Sequence, residues 1–321
     1  MLRQTARWFS FLLLIAFTGV WATTHAQDTA SPACTPAKPA RAGEIVSSLP
    51  SGELNRPFIV FIPSGYDGTT PLPLVFSMHG FASNPRQHMG FARWEVLGEQ
   101  ENFISVYPQG TGVPLRWNGG GMQQNNNAFF SADDVQFFSD LLDNLLATYC
   151  IDPARVYATG FSNGGGMSNR LACELSDRIA AIGTMGGAYS PLLACQPTRP
   201  VPVISMHGME DPIVPYEGGQ TTPVALPPIE EWAAEWAARN GCRTNSVMPD
   251  PTIPRVVVHQ WTDCEEDASV ILYAVEDGGH TWSGGLVLPE FIVGLTRIDF
   301  DATPILWDFL RQHHLSSVGD A

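Results

Sequence analysis

The stretch Leu72-Pro73-Leu74-Val75-Phe76-Ser77-Met78 is apolar at almost every position. A strand with one wet face alternates polar and apolar residues, whereas an unbroken run needs cover on both faces. Such a strand belongs inside a parallel sheet sandwiched between helices. Comparable runs recur at Pro57–Ile62, Phe103–Tyr107, Arg155–Thr159, Ala180–Thr184, Val201–Met206, Val256–Gln260 and Val270–Val275. Helical spacing separates several of them. In Asp133–Thr148, Val135, Phe138, Leu141, Leu142 and Leu145 fall on one side. Asn163–Leu175, Ile229–Asn240 (between Pro228 and Gly241) and Asp301–His314 also read as helices. Strands alternating with helices predict an α/β fold with a mostly parallel central sheet and helices on both faces. No linker or repeat divides the chain. One domain is expected over residues 44–321, after a flexible Pro-, Ala- and Thr-rich lead-in at 27–43.

The start of the chain carries an export signal. Arg3 and Arg7 precede the apolar run Trp8–Val20, which is short for a membrane span, and Thr24-His25-Ala26 offers a cleavage site after Ala26. A signal peptide at 1–26 predicts a secreted protein, extracellular or periplasmic. Six cysteines follow the cut, an even number that suggests disulfides in an oxidising compartment. Cys242 and Cys264 flank one loop-and-strand stretch and form the first expected pair; the pairing of Cys34, Cys150, Cys173 and Cys195 stays open. None of the spacings is that of zinc ligands, so no metal is expected. Cleavage removes two arginines and no acid from a formal charge of −15, which takes it to −17. A field of that sign disfavours nucleic acid and anionic membranes as partners.

The chemistry centres on Gly160-Phe161-Ser162-Asn163-Gly164, a G-x-S-x-G pentapeptide between a predicted strand and a predicted helix. Glycines let the chain turn sharply there and hold the Ser162 hydroxyl clear of the sheet. A serine nucleophile needs a base. His280 follows the last apolar strand in Gly278-Gly279-His280, a loop able to reach over the sheet edge. The base needs an acid to fix its tautomer. Asp211, after the strand ending at Met206, is the candidate, with Glu210 as its competitor. His79 and His207 read as loop braces. Two N–H groups must hold the developing oxyanion: that of Asn163, after the nucleophile, and that of Phe81, after the buried strand at Met78. Trp117 and Trp282 lie beside these loops and are candidates for substrate binding. Trp232 and Trp236 read as core, and Asp133-Asp134 as an acidic helix start.

Further motifs run through the chain: Pro73-Leu74-Val75 with His79-Gly80, Trp117-Asn118, Asp133-Asp134-Val135, Ile151-Asp152-Pro153-Ala154-Arg155-Val156-Tyr157, His207-Gly208 with Asp211, Val214-Pro215-Tyr216, Gly279-His280-Thr281-Trp282, and the closing Ile305–Leu310. With the pentapeptide they resemble the α/β-hydrolase esterases grouped with polyhydroxybutyrate depolymerases and feruloyl or acetylxylan esterases, in carbohydrate esterase family 1. The resemblance extends from Phe58 to His313. It implies a Ser162, Asp211, His280 triad and ester hydrolysis with no metal or other cofactor. Where relatives often carry cysteines after Trp117-Asn118, this chain has a run of Gly, Gln and Asn, so a disulfide of some relatives is expected to be missing.

The expected reaction is acyl transfer from small or oligomeric carboxylic esters. Short hydroxyalkanoate esters are the first reading of the substrate, and feruloyl or acetylxylan esters the alternative. A non-catalytic binding protein on a hydrolase scaffold is the rival of another class.

Overall fold

The computed structural model describes residues 32–120, 132–220 and 225–316. The signal peptide expected at 1–26 lies outside them, as does most of the Gly-, Gln- and Asn-rich run after Trp117-Asn118. The described residues all belong to one compact unit.

Ten strands make one sheet: β1 (Gly43–Ser51), β2 (Leu54–Ile62), β3 (Leu72–Met78), β4 (Ile104–Pro108), β5 (Ile151–Phe161), β6 (Ala181–Met185), β7 (Val203–Gly208), β8 (Thr244–Pro249), β9 (Val256–Thr262) and β10 (Val270–Val275). Their spatial order is β1-β2-β4-β3-β5-β6-β7-β10-β9-β8. The six strands from β4 to β10 run parallel, and antiparallel pairs close both edges. All seven residues of β3 are buried, as its composition requires.

Two core clusters lie on the two faces of the sheet. On one, Leu74, Phe76, Val156 and Ala158 meet α3 (Asp134–Thr148), α4 (Asn163–Glu174) and α5 (Ile229–Arg239). On the other, Val75, Tyr157 and Met206 meet α1 (Pro85–Ala92), α2 (Trp94–Glu101) and α7 (Ala302–Leu310). The α3 face turns Phe138, Leu141, Leu142 and Leu145 inward, joined by Phe137, and Asp133 caps the helix by accepting from the Gln136 N–H at 3.0 Å. Trp232 and Trp236 are buried, and both indole N–H groups donate to Asn169 Oδ1, at 3.1 and 2.8 Å. A four-residue helix, α6 (Glu290–Val293), precedes α7.

The described part of the lead-in is strapped down. Cys34 is bonded to Cys150, its N–H donates to Thr69 O at 2.9 Å, and Lys38 N–H donates to Gly68 O at 2.8 Å. Its Pro-rich composition suggested looseness; the disulfide and these backbone bonds override it. The other cysteines pair as Cys173–Cys195 and Cys242–Cys264. Among the described residues, no helix is long and apolar enough to cross a membrane.

Candidate active site

The loops after parallel strands open at one edge of the sheet, and the residues picked out by sequence follow β3, β5, β7 and β10 there. After β5 the chain turns at Ser162, whose backbone sits at φ 55°, ψ −120°. Non-glycine residues rarely hold a positive φ, and such strain concentrates at functional sites. The turn is pinned on both sides. Ser162 N–H donates to Met185 O at 3.1 Å, and Ser162 O accepts from the N–H groups of Gly166 (3.1 Å) and Ala188 (3.0 Å). Two glycines permit it by close approach. A methyl on Gly160 would lie 2.3 Å from the Gly164 carbonyl, and one on Gly164 would lie 2.2 Å from Met78 O.

The loop after β3 lies against this turn: a methyl on Gly80 would sit 3.3 Å from Ser162 Cβ. His79 braces the loop. Its Nδ1–H donates to Gly80 O at 2.8 Å, and its Nε2 accepts from Gly110 N–H at 3.0 Å. Desolvation pulls its pKa down to about 4, so the ring is neutral. Among the described residues nothing accepts from the Phe81 N–H, and the Asn163 N–H is the first of the α4 donors without an intrahelical acceptor. Both are therefore available to an external oxygen.

Asp211 follows β7 and is buried. Its Oδ1 accepts from the N–H groups of Ile213 and Val214, both at 2.8 Å, and its Oδ2 accepts from His280 Nδ1–H at 2.7 Å. Glu210, the competing acid, is exposed. His207 Nε2–H donates to Val214 O at 2.8 Å, and burial lowers its pKa to about 4, so it braces this loop as a neutral ring. His280 is reached through Gly279, which donates to Leu295 O at 2.9 Å, and its ring packs on Phe161 with centroids 4.7 Å apart. Spending Nδ1–H on Asp211 leaves Nε2 as the acceptor, the tautomer a serine base requires. No hydrogen bond links the Ser162 hydroxyl to the imidazole in this structure; such bonds tighten when substrate binds.

Trp117 and Trp282 are not at a substrate surface, contrary to the expectation. Trp117 is fully buried: its indole N–H donates to His79 O at 2.9 Å, and its ring packs on Phe138. Trp282 is buried too, with its N–H on Thr303 Oγ1 at 3.0 Å and its ring edge-on to His88. Adjacency in sequence placed them near the loops, and their size drew them beneath rather than above. Exposed apolar residues beside the loops instead include Phe81, Met209 and Ile213, with Phe291 and Ile292 on α6.

The pair Asp133-Asp134 divides its roles. Asp133 caps α3, while Asp134 is buried, 2.7 Å from Arg56 Nη2, and accepts from the Asn118 N–H at 2.8 Å. Desolvation raises its pKa against the opposing pull of Arg56. This brace under the 117–118 loop had no local signal in sequence, because Arg56 lies on β2. Among the described residues no cluster of His, Cys, Asp or Glu is arranged to hold a metal. Two cavities, of about 510 and 390 Å³, open elsewhere, and neither is lined by Ser162, Asp211 or His280.

Among curated proteins, feruloyl esterase B of Piromyces equi is 30% identical over 248 residues, 74% of this chain and 45% of that protein. A bifunctional acetylxylan esterase/xylanase of Neocallimastix patriciarum is 25% identical over 226 residues, covering 70% and 31%. The chain thus spans less than half the length of these two relatives. Feruloyl esterase C of Emericella nidulans is 27% identical over 230 residues, 70% of this chain and 76% of that one. The solved acetyl xylan esterase from Aspergillus awamori shares the fold, with a TM-score of 0.58 at 15% identity over 74% of this chain and 94% of that one. The phospholipase/carboxylesterase family model matches residues 68–229, half of the sequence, from the turn before β3 to the start of α5. That span takes in the serine turn and the acid loop, and the chain belongs to the phospholipase/carboxylesterase family of α/β-hydrolases.

Proposed function

We propose that this protein is a serine esterase that cleaves feruloyl or acetyl esters of plant cell-wall polysaccharides. The observation that carries the esterase reading is the Asp211–His280 hydrogen bond at the same sheet edge as the strained Ser162 turn. His280 Nε2 takes the proton as Ser162 Oγ attacks the ester carbonyl. The Phe81 and Asn163 N–H groups hold the oxyanion. His280⁺, steadied by Asp211, protonates the departing alcohol, and water then releases the acyl group by the same route.

The names of the relatives support the choice of substrate. With Trp117 and Trp282 buried, an aryl group would rest on Phe81 or Phe291 instead. The exposed apolar margin formed by Met209, Ile213 and Phe291 favours a second reading, aliphatic hydroxyalkanoate esters. Three disulfides and the leader at 1–26 support export of the enzyme.

The test is a release assay on methyl ferulate, acetylated xylan and hydroxybutyrate oligomers, with Ser162→Ala as control. Preference for the oligomers would overturn the cell-wall reading. Failure of a fluorophosphonate probe to label Ser162, with no ester turned over, would leave only a binding protein.

A further inference from the structure

We infer that Trp117 is a positioning residue that sets both oxyanion N–H groups at once; the inference rests on the serine esterase reading above. Trp117 reaches the two donor segments by different parts of itself. Its indole Nε1–H donates to the carbonyl of His79 at 2.9 Å, two residues before Phe81. Its backbone meets the side chain of Asn163 in a two-way pair. Trp117 N–H donates to Asn163 Oδ1 at 2.7 Å, and Asn163 Nδ2–H donates to Trp117 O at 3.1 Å.

This pairing explains an otherwise poor choice of residue. Asparagine is a weak helix former because its amide competes for backbone groups. At the first position of α4 that competition is put to use. The carboxamide mimics a peptide and docks on the Trp117 backbone, which fixes the rotation of the first helical turn and so the direction of the Asn163 N–H. The indole bond fixes the peptide plane between His79 and Gly80, from which the chain proceeds to Phe81.

Trp117 is itself held rigidly. Its ring lies between His79, at 5.0 Å, and Phe138, at 5.5 Å. The next residue, Asn118, gives its N–H to Asp134 and receives Arg170 on its carbonyl at 2.9 Å. Phenylalanine would keep an aromatic ring beside His79 and Phe138 but would lose the donor to the His79 carbonyl. A donor displaced by a fraction of an ångström loses more against the oxyanion than against the ground-state carbonyl.

The test compares Trp117→Phe, Asn163→Asp and Asn163→Leu with the wild type. Active sites are counted by fluorophosphonate titration, so that misfolded protein does not enter the rates. For nitrophenyl acetate, Trp117→Phe should lower kcat on the order of tenfold with KM within about twofold, and Asn163→Leu should lower it more. Affinity for benzeneboronic acid, whose tetrahedral serine adduct occupies the oxyanion site, should fall by the same factor as kcat. Asn163→Asp keeps the acceptor for Trp117 N–H and should lie between wild type and Asn163→Leu; it also carries the test if Trp117→Phe does not fold. Wild-type kcat and boronate affinity per titrated site, or a loss confined to KM, would overturn the positioning role. Turnover by Ser162→Ala, or indifference of the wild type to the boronate, would instead overturn the esterase reading beneath it.

Discussion

Asp211 and His280 stand 69 residues apart in sequence and meet through a 2.7 Å hydrogen bond beyond the ends of the adjacent strands β7 and β10. Because the Asp211 side chain is fully buried and its other oxygen is held by two backbone N–H groups, it cannot swing to another partner. Asp211→Asn should keep the fold, present the wrong tautomer of His280 and lower kcat by about 10³–10⁴. Esterase activity within tenfold of wild type in a folded variant would remove Asp211 from the mechanism.

The positive φ of Ser162 separates stability from activity. Glycine accepts that backbone at no steric cost, so Ser162→Gly should be inactive yet more stable by about 0.5–1 kcal/mol. Ser162→Ala should be inactive without that gain. Urea unfolding of the two variants side by side reads the difference; equal midpoints would mean that the turn stores no strain.

Arg56 and Asp134 are both buried, so removing one strands the other. Arg56→Met should cost about 3–5 kcal/mol. Adding Asp134→Asn should recover part of that loss, because the amide is uncharged and its oxygen still accepts from Asn118. Additive losses in a double-mutant cycle would contradict a coupled pair.

Four histidines set a pH dependence. Burial holds His79, His207 and the partly buried His313 at about 4 and His88 at about 3, below the ordinary 6.5. Between pH 6.5 and 4 the unfolded chain binds protons that the folded chain refuses, so stability falls as pH falls. Below about pH 4 His79, His207 and His313 take protons in the fold as well, and their share of the slope fades. Each ring contributes at most roughly 1.4 kcal/mol per pH unit. Urea midpoints at pH 7, 6 and 5 should decline progressively, and a flat profile would mean that these rings are not buried neutral.

The disulfides differ in the loops they close. Cys34–Cys150 spans 116 residues and Cys242–Cys264 spans 22. On loop entropy alone, replacing the first pair by serine should cost roughly 1.5 kcal/mol more than replacing the second. Thermal or urea unfolding of the two double variants gives the order, and a reversed order would place the stabilisation in native contacts.

The central strands were legible because burial on both faces forces their composition: β3 and β10 have the bounds read from sequence. β1 and β8 were not. As edge strands they are largely exposed, and residues such as Ser47, Ser48, Asn245 and Ser246 carry no apolar pattern. The short helices α1 and α2 also escaped, since eight residues give little periodicity to read. At the site, residues at strand ends could be placed from the chain alone, because topology fixes which edge they reach. Depth could not: position in the chain puts Trp117 and Trp282 beside the loops, while both lie buried beneath them. The Arg56–Asp134 pair joins β2 to α3, and nothing local announces it.

The cysteine bridges share one location. Cys150 precedes β5, Cys173 lies near the far end of α4, and Cys242 and Cys264 sit just outside the open end of the β8–β9 pair. Each is at the pole of the sheet opposite Ser162. The sheet therefore has a stapled pole and, opposite it, the pole that carries Ser162, so exposed side chains around the serine turn can be exchanged without touching a bridge.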